Sequence, residues 1–121
     1  MDTQKYAVPM SNNELLVLSL LKDRSKNNAL PNHEIQAKTG LGERRIRKIV
    51  QHLILDHRQP IGSSSSSAKG YYWINDIKEM ESNFRKLRSR ALIILKRAAT
   101  IKHIGMDEML DQIKIDLDGG N

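Results

Sequence analysis

The stretch "NHEIQAKTGLGERRIRKIVQHLILDHRQP", residues 32–60, constrains this chain more than any other. Ile46, Ile49, Val50 and Leu53 fall at i, i+3, i+4 and i+7, the spacing that lines one side of an α-helix. They predict a helix from about Glu43 to Asp56, with Pro60 closing the segment. Its other side carries Arg44, Arg47, Lys48 and Gln51, with Arg45 beside them. Just upstream, Asn32 is expected to cap a two-turn helix that stops at Gly40, a residue type that ends helices without steric cost. A short helix, the tight link Thr39-Gly40-Leu41-Gly42 and a longer two-faced helix therefore follow one another.

That order of parts is the layout of a helix-turn-helix, in which the second helix enters the major groove of DNA. The residue types suit the task. Arginine can donate two hydrogen bonds to guanine O6 and N7, glutamine can pair with adenine, and lysine neutralises phosphate. Upstream, "SNNELLVLSLLKD" predicts a further helix capped by Ser11 or Asn12, with Glu14 in its first turn. Leu15, Leu18 and Leu21, with Leu16 and Leu20, supply it with a broad apolar face. "RSKNNALPN" reads as a turn, and residues 1–10, which contain Pro9, as a loose arm or short cap.

Five serines stand in "IGSSSSSAKGYYWI", residues 61–74. A flexible linker needs no apolar bracketing, yet Ile61 precedes the serines and Tyr71-Tyr72-Trp73-Ile74 follow them. Two short β-prone runs around turn residues ending in Gly70 predict a hairpin instead. Alternation sets Tyr71 and Trp73 on one face and Tyr72 and Ile74 on the other, so one face can close over a three-helix core. A linker here would also leave a domain of only about 50 residues, small for independent stability.

"NHEIQAKTGLGERRIRKIVQHL" followed by "PIGSSSSSAKGYYWI" resembles a winged helix-turn-helix domain over roughly residues 12–75. With its long basic helix after the wing, the chain is similar to small winged-helix proteins of bacteriophages and prophages of Gram-positive bacteria. The resemblance implies duplex-DNA binding, with Arg44, Arg45, Arg47, Lys48 and Gln51 on the recognition helix and Ser65, Ser66, Ser67 and Lys69 in the wing. Two features depart from the pattern. Gly42 stands at a helix-cap position where such proteins often carry Ser or Thr, and the serine run exceeds a minimal wing.

After the wing, Asp76 can cap "IKEMESNFRKLRSRALIILKRAATIKHI". Ile77, Met80, Phe84, Leu87, Ala91, Ile94, Ala98 and Ile101 step alternately by three and four, the seam of helices that pair with one another. The expectation is a homodimer through residues 77–104, with Met80, Phe84, Leu87, Ala91, Ile94, Ala98 and Ile101 as its contacts. Two recognition helices at a fixed separation would then read a palindromic or repeated site. Folding back onto its own domain is the competing arrangement. The sequence thus divides into a winged domain (1–75), a long basic helix (76–105) and an acidic end (106–121). The last of these is open to three readings: a short helix packed on the basic body, a loose tail competing with nucleic acid, or a peptide that docks a partner.

Charge supports a polyanion partner. The net charge is +6, but Asp107–Asn121 holds five acids and one lysine, leaving +10 on residues 1–106. The chain has no cysteine, which rules out disulfides, thiol nucleophiles and cysteine zinc sites and fits a reducing, intracellular setting. No apolar run reaches the roughly 18 residues of a bilayer span, so a cytoplasmic protein is expected. His33, His52, His57 and His103 show no His-x-x-x-His spacing, and "SSAKG" lacks the glycines of a phosphate loop. A non-enzyme without metal or cofactor is expected. Three functions follow from these residues: a duplex-DNA binder in transcription regulation or at a replication origin; a protein-interaction adaptor docking through the long helix, as in a phage replication or packaging machine; and a single-strand or RNA binder. The last is disfavoured because only Tyr71, Tyr72, Trp73 and Phe84, with Tyr6 far off, could offer stacking surfaces, and most of these are expected in the core.

Overall fold

Ser11 opens the first helix, α1 (Asn12–Leu21), with a reciprocal cap. Its hydroxyl accepts from the Glu14 N–H at 3.2 Å, and its own N–H donates to Glu14 Oε1 at 3.0 Å. In the computed structural model, which describes residues 9–64 and 69–119, α1 buries Val17, Leu18 and Leu21. Leu15 and Leu16 remain 51% and 41% exposed, so the apolar face is narrower than expected and centres on Val17. Helix α2 (Asn32–Thr39) is capped by Pro31 rather than Asn32. Proline presets an extended φ and frees the Asn32 side chain, which accepts from Gln36 Nε2 at 2.9 Å and donates to the Glu43 carbonyl at 3.4 Å. Gly40 then turns the chain in the left-handed region (φ 76). Helix α3 (Glu43–Leu55) starts at Gly42 without a side-chain cap and buries Ile46, Ile49, Val50 and Leu53, as the spacing predicts.

These helices share one core of Val17, Leu18, Leu21, Leu30, Ile35, the four α3 residues and Ile61. Fully burying such a side chain contributes about 1.5–3 kcal/mol, an upper figure because an unfolded chain already hides some apolar surface. The hairpin closes it. Strand β1 (Ile61–Ser64) pairs antiparallel with β2 (Gly70–Trp73) in the register Ile61↔Trp73, Gly62↔Tyr72, Ser63↔Tyr71 and Ser64↔Gly70. On its other edge Tyr71 exchanges both backbone hydrogen bonds with Leu30, at 2.8 and 3.0 Å, and the Trp73 N–H donates to the Arg24 carbonyl at 3.0 Å. Tyr71 and Trp73 pack against the core, and Tyr72, pointing the opposite way, is 1% exposed. Gly70 is required sterically: a Cβ there would stand 2.5 Å from the Leu30 carbonyl group. Ser63 and Ser64 therefore belong to a hairpin fastened to the α1–α2 connection, and the arrangement is the expected one, helical with a small antiparallel wing. Ser65, Ser66 and Ser67 lie outside the described residues.

Two compact units divide the chain, residues 1–80 and 81–121. Asp76 caps α4 (Ile77–Lys102) by accepting from the Glu79 N–H at 2.8 Å, while Glu79 Oε1 accepts from Asn75 N–H at 3.0 Å. The seam residues are open: Ile77 is 70% exposed, Met80 57%, Phe84 65%, Leu87 61%, Ile94 60% and Ile101 78%. Ala98 is half-buried and Ala91 exposed. The helix ends in a Schellman turn with His103 in the left-handed region (φ 58), Ile104 N–H donating to the Ala99 carbonyl at 3.0 Å and His103 N–H to that of Thr100 at 3.1 Å. Residues Met106–Gly119 form a further helix, α5, so the acidic end is helical where described.

Candidate nucleic-acid interface

A helix turns 100° per residue, so burying Ile46, Ile49, Val50 and Leu53 fixes where every other α3 residue points. Arg44, Lys48, Gln51 and Leu55 fall directly opposite the core, at i, i+4, i+7 and i+11, and all four are exposed. Arg47 and Arg45 lie on opposite flanks of this row. The five sequence-predicted α3 residues are thus on the surface, but they divide into an outer row and two flanks.

Arg47 borders an open groove of about 500 Å³ between the start of α2, the start of α3 and the hairpin. Ser63, Ser64 and Lys69 supply its wing side, and His33 and Gln36 its α2 side. Lys69 is thereby brought to the same groove as Arg47, whose guanidinium is paired with Glu43 one turn earlier. Both partners are more than half exposed, so the pair is worth at most about 1 kcal/mol and can be exchanged for a ligand anion.

Arg44, Arg45 and Lys48 border a second cleft of about 540 Å³, walled by Ser11, Asn13 and Glu14 from the start of α1. Glu14 makes this side different in charge. Its carboxylate lies 3.1 Å from His57 Nε2, whose side chain is 6% exposed, and His52 Nδ1 lies 3.2 Å from Asp56 Oδ2. The Ser11 backbone N–H, above all, holds the Glu14 carboxyl below its usual range; burial opposes this, and the Ser11 hydroxyl and His57 reinforce it. Glu14 therefore stays ionised at neutral pH and ties the beginning of α1 to the chain just after α3.

The sequence reading overlooked Leu55, His33, Gln36 and the Glu43 partner of Arg47. Leu55 was legible from its place in the outer row, 66% exposed at its end. The α2 residues had no local signal, because only the hairpin makes their surface into a groove wall. Among the described residues no group of three or more His, Cys, Asp or Glu gathers where it could hold a metal ion. Among them, too, no helix is long and apolar enough to cross a membrane. No protein-family model, curated protein or solved structure matches the chain.

Proposed function

We propose that this protein binds duplex DNA as a homodimer, placing α3 in the major groove and the hairpin along the neighbouring backbone, in transcription regulation or at a replication origin. The observation that carries the reading is the outer row Arg44, Lys48, Gln51 and Leu55, set opposite a stripe no more than 8% exposed. A helix about 10–12 Å across fits a groove about 12 Å wide, so Arg44, Gln51 and Leu55 of this row would face base edges. Arg44 and Gln51 can read guanine and adenine, and Leu55 can touch a thymine methyl. Lys48 and Arg45 serve phosphates. Arg47 and Lys69, sharing the wing-side groove, would hold a backbone strand between the two motifs. The open seam of α4 supports the second copy, and through it two half-sites.

Selection from random duplexes tests this, with wild type set beside the triple variant Arg44→Ala, Arg47→Ala, Lys48→Ala. A reproducible motif lost in the variant is the expected result, and two half-sites are expected within it. Lys69→Ala should weaken all sequences alike, whereas Arg44→Ala should relax discrimination at one base pair by about 1–3 kcal/mol. The adaptor reading rests on the same exposed α4 seam. It gains if wild type enriches no motif and its affinity for DNA is weak and indifferent to sequence.

A further inference from the structure

Two copies joined along α4 alone would meet an electrostatic obstacle. With Ile77, Phe84, Ala91 and Ala98 as one line of the seam and Met80, Leu87, Ile94 and Ile101 as the other, the flanking positions follow from the heptad. In a parallel pair Arg97 would face Lys102 of the second copy, and Asp76 would face Glu81. In an antiparallel pair centred on the seam, Arg88 and Arg90 would each face their own symmetry mates. No flanking pair is opposite in sign in either arrangement. The helix carries eight basic residues and two acidic ones, so screening by distance offers little relief.

Helix α5 has the complementary composition, with five acids and one lysine. Leu110 and Leu117, seven apart, are 43% and 79% exposed, and Asp111 and Asp118 run along their edge. On α4, Ile94 and Ile101 are also seven apart, with Arg90 and Arg97 beside them. There Ile93, Lys96, Arg97 and Ile101 border an open apolar groove of about 350 Å³. Both strips stay exposed although α4 and α5 belong to one chain, so a chain's own α5 does not cover its α4 strip. We infer that this α4 strip takes the acidic helix α5 of a second copy, the two copies exchanging α5 reciprocally. Leu110 and Leu117 meet Ile94 and Ile101, Asp111 and Asp118 meet Arg90 and Arg97, and the two basic α4 helices are kept from facing one another.

The inference rests on the homodimer reading, and salt separates the two. Raising ionic strength from about 0.1 M to about 1 M shortens the screening length from about 10 Å to about 3 Å. Sedimentation equilibrium of the full chain should show a dimer that weakens several-fold over that range; a dimer of self-paired α4 helices would tighten. Asp111→Lys with Asp118→Lys should raise the dissociation constant about tenfold. This pair leaves Asp107 in the first turn of α5, where the helix dipole favours an acid, and far-UV circular dichroism checks that α5 stays helical. Adding Arg90→Glu and Arg97→Glu to the same chain should restore the dimer. A dimer tightened by salt, or indifferent to the α5 reversal, would overturn the exchange and leave the homodimer standing. A wild type monomeric at every salt concentration would overturn both.

Discussion

In α3 the stripe Ile46, Ile49, Val50 and Leu53 keeps no more than 8% of its surface in water, while in α4 the stripe Met80, Phe84, Leu87 and Ile94 keeps 57–65%. Both helices set apolar residues against arginines and lysines. The difference lies in what the rest of the chain supplies. For α3, α1, Leu30, Ile35 and Ile61 all contribute apolar surface to one cluster. Among the described residues the α4 stripe is left exposed. An amphipathic pattern thus says that a face wants cover, without saying whose.

Matched truncations separate the two helices. Leu53→Ala empties a fully buried position and should cost about 2–5 kcal/mol, read by urea unfolding. Leu87→Ala, 61% exposed, should change the stability of the monomer by less than about 0.5 kcal/mol. A large effect of Leu87→Ala at concentrations too low for association would show that its face is covered within the chain. Gly70→Ala sharpens the contrast from the backbone side. The new methyl would press on the Leu30 carbonyl and Pro31 nitrogen, which cannot swing away as a side chain can, and a loss of about 1–3 kcal/mol is expected. An unchanged melting temperature would mean that the hairpin is not fastened at Leu30.

A smaller effect distinguishes the first unit by pH. Because Glu14 is held below its usual value, its ionised form stabilises the folded state at pH above about 4.5, and that contribution is lost as pH falls through the folded-state value. Glu14→Gln should cost about 1 kcal/mol near neutrality, and the two proteins should converge in acid. Parallel melting curves from pH 7 to pH 3 would show that the His57 and Ser11 contacts add nothing.

What was legible in the sequence depended on distance along the chain. The four α3 core residues repeat within a dozen positions, and Gly40 ends α2 by its own conformational freedom; both were readable locally. So was Asp76, which caps through the residue three ahead. The Glu14–His57 contact spans 43 residues, and the Leu30–Tyr71 exchange joins two segments that each look complete alone. Neither leaves a periodic trace. Asn32 shows a subtler limit: proline before it provided a cap with no side chain to recognise, and the asparagine was released to brace α2 against α3. The candidate interface was readable as a set of residues. Its division into an outer row and two differently charged flanks was not, because that depends on what stands on either side of α3.

Strand β2 is held on both edges: Tyr71 gives both its backbone hydrogen bonds to Leu30, while Gly70 and Tyr72, on either side of it, pair with Ser64 and Gly62 of β1. A strand held by main-chain groups makes few demands on its exposed side chains. Substitution at the exposed Lys69 can therefore occur without displacing the frame that carries it, provided Gly70 is kept. Over generations the exposed surface of such a hairpin is free to change while the frame that presents it stays inherited.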